Sequence, residues 1–139
     1  MSRLLYVDTG AFIALLYERD HWHSRVSAQL RKLRADGDRL VTSEPVISET
    51  VTRLRYDAGL ARVTAFRVLL DRAVAQGSLV IRDSDERLRR SAFALLEQFE
   101  DLRLSYADAV GAAIARERRV DGVFGLDHQF RIMGFALEP

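Results

Sequence analysis

Four acidic side chains, Asp8, Glu49, Asp108 and Asp127, lie beside the ends of apolar runs or in the opening turns of helical patterns. Asp8 closes the run Leu4–Val7, and Asp127 follows the run Gly122–Phe124. A carboxylate ending a buried strand must be solvated, paired or bound to a cation. Several such carboxylates at one edge would repel one another unless a cation neutralises them. The chemistry they could share is therefore binding of a hard, oxygen-preferring divalent ion.

Each acid also has a local use. Asp8 can cap the helix after it, and Asp127 the short helix that follows. Glu49 can pair with Arg53 one turn on. Ser105-Tyr106-Ala107-Asp108 has the spacing of a capping box, with Asp in place of Glu. Asp108 is followed by Ala109, Gly111, Ala112 and Ala113, small residues that let a helix approach its neighbours closely.

The elements that would position these acids alternate in type. Leu4–Val7 reads as a buried strand and Ala11–Tyr17 as a helix. His23–Ala35 carries Val26, Leu30 and Leu33 at helical spacing, and Gly37 closes it. Arg39–Thr42 is a second strand. Ser43-Glu44-Pro45 opens a helix to about Ala58, where Gly59 ends it. Leu60–Gln76 is helical, with Gly77 as its terminator. Leu79–Ile81 is a third strand, and a helix headed by Asp83-Ser84-Asp85-Glu86 runs through Phe99. Ser105–Arg118 is helical, Gly122–Phe124 is a fourth strand, a short helix follows Asp127, and Phe135–Leu137 reads as a final edge strand. Strands separated by helical crossovers require a parallel sheet covered on both faces. The expected fold is α/β: a three-layer α/β/α sandwich around a mostly parallel sheet of four to five strands. Ligands in such sheets bind outside the carboxyl ends of the strands. Asp8 and Asp127 sit at that edge, and Glu49 and Asp108 can face it.

Bulk properties narrow the classes. A length of 139 residues fits one domain spanning 1–139. With 48% hydrophobic and 29% charged residues, the chain is a globular protein and not a disordered one. There is no cysteine, which excludes disulfides, zinc–thiolate sites and thiol nucleophiles. His21, His23 and His128 are too few and too scattered for a histidine cluster. No apolar run reaches the ~20 residues of a membrane span, and no secretory signal opens the chain, so a soluble, cytoplasmic location is expected. The net charge is only +1, but neutralising the four acids would leave a basic chain, almost all of it arginine. Arginine suits phosphate because its planar fork donates two hydrogen bonds. Arg53, Arg87, Arg90, Arg103 and Arg116 are candidate phosphate contacts.

The segments Leu5-Tyr6-Val7-Asp8-Thr9, Pro45-Val46-Ile47-Ser48-Glu49, Leu104-Ser105-Tyr106-Ala107-Asp108-Ala109 and Gly125-Leu126-Asp127-His128-Gln129-Phe130 resemble, in order, the four acidic motifs of PIN-domain ribonucleases. In size the chain is most similar to the VapC-type toxins of toxin–antitoxin pairs. The resemblance implies an endoribonuclease dependent on Mg²⁺ or Mn²⁺ that hydrolyses RNA phosphodiesters by metal-activated water. Asp8, Glu49, Asp108 and Asp127 would hold the metal, and Thr9 and Ser105 would support them. It also implies a protein antitoxin and a homodimer. His21–Trp22 and the Leu60–Val74 helix offer an apolar groove for such a partner, or are ordinary core. The chain departs from the family pattern at Gly125, where the family often carries Thr or Ser; a supporting hydroxyl is missing there.

Two other phosphoryl-transfer readings fail on single residues. A haloacid-dehalogenase pattern needs a second aspartate where Gly10 stands, and a receiver domain needs a late lysine, whereas the only lysine is Lys32. The alternative from another class is a catalytically silent PIN-like binding module acting through a protein partner.

Overall fold

The computed structural model describes residues 2–139. Four strands, β1 (Leu4–Val7), β2 (Arg39–Ser43), β3 (Leu79–Arg82) and β4 (Gly122–Phe124), form one sheet in the order β3-β2-β1-β4. All three pairings are parallel, with Leu5 opposite Leu40 and Tyr6 opposite Val123. The helices are α1 (Thr9–Leu16), α2 (His23–Ala35), α3 (Glu44–Asp57), α4 (Leu60–Ala75), α5 (Glu86–Gln98), α6 (Tyr106–Arg118) and α7 (Gln129–Ile132). They sandwich the sheet in three layers, as the alternating pattern requires.

The central strand β1 shows why both faces must be covered. Its side chains alternate sides. Val7 lines a small apolar cavity of about 30 Å³ with Phe12, Leu33 and Leu69 from α1, α2 and α4. Tyr6 points the other way, toward Gly111 of α6 and Phe130 of α7. Leu5, Tyr6 and Val7 are all buried, so the strand reads as a continuous apolar run.

Local chemistry sets the boundaries. Ser43 caps α3 by accepting from the Val46 N–H at 3.4 Å, and Asp85 caps α5 by accepting from Leu88 at 2.8 Å. Gly59 takes φ 95°, a left-handed backbone that breaks α3 from α4. At the opposite edge from Asp8, Arg3 ties the two ends of the chain together, bridging Asp38 at 3.1 Å and Glu138 at 2.8 Å.

Several element ends differ by one residue from the sequence reading; two differences are larger. Helix α1 begins at Thr9, two residues earlier than the Ala11 start read from the apolar run. The expected edge strand at Phe135–Leu137 is reduced to one parallel bridge, Leu137 with Val123. Its two hydrogen bonds, Val123 N–H to Ala136 and Glu138 N–H to Val123, are each 2.8 Å.

Candidate metal centre

The strand order reverses between β1 and β4: from β1 the chain moves outward one way to β2 and β3, and later returns to β1's other side. That switch point opens a crevice beyond the carboxyl ends of the two strands. Asp8 leaves β1 there and Asp127 lies three residues beyond β4. Asp108 enters from the first turn of α6, and Glu49 from the middle of α3. These acids, with Thr9, Ser105, Arg53 and Asp20, line one open cleft of about 370 Å³.

Three of the four acids converge tightly. One carboxylate oxygen from each of Asp8, Asp108 and Asp127 lies within 4.8 Å of the other two. Glu49 lines the same cleft outside that cluster, where its Oε2 accepts from Thr9 Oγ1 at 3.2 Å. No Glu49–Arg53 ion pair forms among the described residues; Arg53 stands exposed at the cleft.

The acids are held in different ways. Ser105 and Asp108 form the capping box read from their spacing: Asp108 N–H donates to Ser105 Oγ at 3.0 Å, and Ser105 N–H to Asp108 Oδ2 at 2.9 Å. Asp127 lies just before α7 and is held by Gln129, accepting from its N–H at 3.0 Å and from its Nε2 at 3.1 Å. Asp8 occupies the N-cap position of α1, yet its side chain makes no capping hydrogen bond.

Asp8 is therefore the acid that local structure explains least. It is only 6% exposed. Burial is the main force that pushes its carboxyl up to about 7; the charge of Asp108 adds to this, the Thr9 N–H opposes it, and Asp127 and Glu49 contribute further repulsion. Burial likewise raises the Asp108 carboxyl, against the opposing hydrogen bonds from Ser105. A mutually repelling set of carboxylates, one buried and two half-buried, is what a divalent cation would neutralise. The donors are all oxygen, which fits Mg²⁺ or Mn²⁺ and not a soft metal.

Gly125 has a steric role at this site. A Cβ at residue 125 would stand 3.1 Å from Asp8 Cβ and 3.8 Å from Asp8 Oδ2. The bare backbone gives the Asp8 side chain its room, and no hydroxyl is offered from this position.

The candidate arginines divide. Arg53 belongs to the acid cleft. Arg87 and Arg116 share a separate groove of about 390 Å³ between α5 and α6. Arg90 is exposed and paired with Glu86 on its own helix. Arg103 is exposed in the loop before α6, and its carbonyl accepts from Gln129 Nε2 at 3.3 Å. Sequence reasoning missed two residues. Gln129 grips Asp127 from two positions on, a spacing that could have been read. Asp20 reaches the cleft from the turn between α1 and α2, and nothing in its flanking sequence marks it.

Comparison with known proteins adds the following. Residues 5–136 match the PIN domain family. No curated protein matches the sequence significantly. Among solved structures, VapC20 of Mycobacterium tuberculosis, described as a sarcin–ricin loop cleaving toxin, superposes with a TM-score of 0.81 at 22% identity, covering 95% of this chain and 96% of that one. VapBC2 of Rickettsia felis, bound to a DNA fragment from its promoter, superposes at 0.66 with 16% identity, covering 97% of each chain. FitAcB of Neisseria gonorrhoeae gives 0.64 and 16%, covering 97% of this chain and 96% of that one.

Proposed function

Because the chain belongs to the PIN-domain family, we propose that it is a metal-dependent endoribonuclease of the VapC type, formed by residues 1–139 as one domain. The observation that carries this reading is the three-aspartate cluster at the sheet's switch point, with its oxygens within 4.8 Å of one another. Asp8, Asp108 and Asp127 would hold Mg²⁺ or Mn²⁺, with Glu49 as a further ligand or as the base that orients water. When bound, the ion would supply a more acidic water and neutralise charge at the phosphorus.

The chain's own groups have distinct tasks. Asp8 meets the cation with a carboxylate free of capping duty. Ser105 and Gln129 fix the Asp108 and Asp127 carboxylates before substrate arrives. Thr9 holds Glu49 by its hydroxyl, so that a second Glu49 oxygen remains for water. Arg53 lies on the cleft where an RNA phosphate would pass, and its fork can donate two hydrogen bonds to it. Arg87 and Arg116 would meet the backbone farther along, in the α5–α6 groove.

The likeness to VapC20 makes structured ribosomal RNA the first substrate to try. The partner would be an antitoxin covering exposed apolar side chains such as Trp22, Leu60 and Val74, and the toxin would be a homodimer. No helix among the described residues is long and apolar enough to cross a membrane, which accords with the cytoplasmic location proposed here.

The test is cleavage of structured RNA by purified protein with Mg²⁺ or Mn²⁺ against EDTA, beside Asp8→Asn. Cleavage that needs the ion, disappears in the variant and leaves a 5′-phosphate supports the reading. A 2′,3′-cyclic phosphate would overturn the hydrolytic route, because it means attack by the ribose hydroxyl. No cleavage, with no rise in melting temperature on adding metal, would favour the silent binding module.

A further inference from the structure

Tyr6 lies two residues before Asp8 in the central strand and is 0% exposed. Its side chain meets the segments that bear Glu49, Asp108 and Asp127. The hydroxyl is 2.9 Å from Oγ of Ser43, the residue that caps the helix bearing Glu49. The ring lies against Gly111, one turn along α6 from Asp108. A Cβ at 111 would stand 2.7 Å from Tyr6 Cε1 and 2.8 Å from Cζ and Oη, closer than side-chain carbons pack. The ring also faces Phe130, three residues after Asp127, with centroids 6.5 Å apart.

We propose that Tyr6 is the positioning residue of the acid cluster, and that Gly111 is glycine because the Tyr6 ring fills the space its side chain would need. This rests on the metal reading above. Two features point the same way. Glycine is a poor helix former, so its use inside α6 needs a reason, and the ring supplies one. A buried hydroxyl must find a partner, and Tyr6 finds it on the cap of α3, where a phenylalanine would have packed without that constraint. One side chain thus sets the distance of α6 from β1 and the seat of α3. Mg²⁺ demands near-ideal octahedral geometry, and a shift of about half an ångström in a ligand-bearing helix exceeds what such a site tolerates.

Three variants test this. Gly111→Ala keeps the ring and forces α6 outward. Tyr6→Phe keeps the ring and deletes the hydroxyl. The double variant Tyr6→Leu/Gly111→Ala removes the ring and gives the new methyl group room. Mn²⁺ affinity is read by calorimetry and folding by urea denaturation. Gly111→Ala is expected to weaken Mn²⁺ binding about tenfold or more, the range seen when groups supporting metal ligands are altered. Tyr6→Phe should weaken it by a smaller factor, and the double variant, which also lacks the hydroxyl, should recover the Gly111→Ala loss only as far as the level of Tyr6→Phe. Unchanged affinity in Gly111→Ala, or a double variant no better than it, overturns the proposal. Should Gly111→Ala not fold, unchanged affinity in Tyr6→Phe overturns it instead. A metal-free measurement separates this from the metal reading. The repulsion between Asp8 and Asp108, taken as the coupling in an Asp8→Asn/Asp108→Asn double-mutant cycle, should fall when residue 111 (or, failing that, residue 6) is substituted. A parent protein that binds no Mn²⁺ would end the metal reading alone. An undiminished coupling would end this one.

Discussion

Replacing Asp8 by Asn should stabilise the metal-free protein, and by an amount that grows with pH. The Asp8 carboxyl is held at about 7 by burial and by its acidic neighbours, against ~3.9 in an unfolded chain. The folded state therefore binds this proton more tightly than the unfolded state. The sign follows: the contribution of Asp8 to metal-free stability is greatest below pH ~4, declines as pH rises toward 7, and is level above that. At ~1.4 kcal/mol per pH unit, Asp8 lowers stability, relative to pH below ~4, by on the order of 4 kcal/mol at pH 8, where it is ionised in the fold, and by about 1.5 kcal/mol at pH 5, where the fold still holds its proton. Asn cannot ionise and so escapes both costs. Asn and Asp also differ in packing and hydrogen bonding, but that difference does not vary with pH. The stability gap between Asp8→Asn and the parent should thus widen by roughly 2–3 kcal/mol from pH 5 to pH 8. Asp108, raised by burial and the same neighbours, adds a decline of the same sign in both proteins. The assay is urea denaturation in EDTA at pH 5, 6, 7 and 8. A gap that stays constant across that range would refute the electrostatic reasoning, whatever its size.

Adding Mn²⁺ at about 100 times its Kd should raise the parent's unfolding free energy by ~2.7 kcal/mol, and Asp8→Asn should show little of that gain; equal gains in thermal melts would remove Asp8 from the metal site. Ser105→Ala deletes the Oγ that receives the Asp108 N–H at 3.0 Å; it should cost ~1 kcal/mol in denaturation yet largely keep Mn²⁺ binding, because the Ser105 N–H that holds Asp108 Oδ2 remains. Arg53→Ala should raise KM for RNA about tenfold with kcat nearly unchanged, as expected for a charged hydrogen bond to a phosphate that does not react. A fall in kcat alone would place Arg53 in the chemistry instead.

Much of the architecture was legible because it rests on local rules. Leu4–Val7 and Gly122–Phe124 had to be buried strands, and parallel pairing then sent Asp8 and Asp127 to one edge. The Ser105–Asp108 box could be read directly, since its two hydrogen bonds depend only on residues three apart. What could not be read depends on distances across the fold. Nothing in the flanking sequence separates Arg53, which reaches the cleft, from Arg90, which pairs with Glu86 on its own helix. Tyr6 looked like one more core residue, and Gly111 like one of several small ones. Their contact is visible only when β1 and α6 are set face to face. The start of α1 was misplaced because the apolar run begins at Ala11, while the helix takes in Thr9 and Gly10 to close its first turn directly against Asp8.

Capping and metal binding began as competing explanations for these acids, and the geometry shows that they are compatible. An ionised carboxylate has about four acceptor positions. Asp108 gives Oδ2 to the Ser105 N–H and keeps Oδ1. Asp127 receives Gln129 on both oxygens, one bond to each, and lone pairs remain. A cap orients a carboxylate at little cost to its capacity as a ligand, so a helix start is an economical place to hold one rigidly. Asp8 lacks a capping bond, sits deepest, and has its carboxyl pushed up mainly by that burial and further by Asp108. It is thus the residue whose charge the fold accepts with no local return, and the two kinds of aspartate should respond differently to the same change. Asn keeps an oxygen that can accept from the Ser105 N–H, so Asp108→Asn should retain its cap and gain only the relief of repulsion at one partly exposed position. Asp8→Asn should gain more stability, since it loses no cap at all. Both should lose RNA cleavage together. Unchanged cleavage in both variants would take these aspartates out of the metal site and leave Asp108 with the role of a cap, which Asn fills as well as Asp.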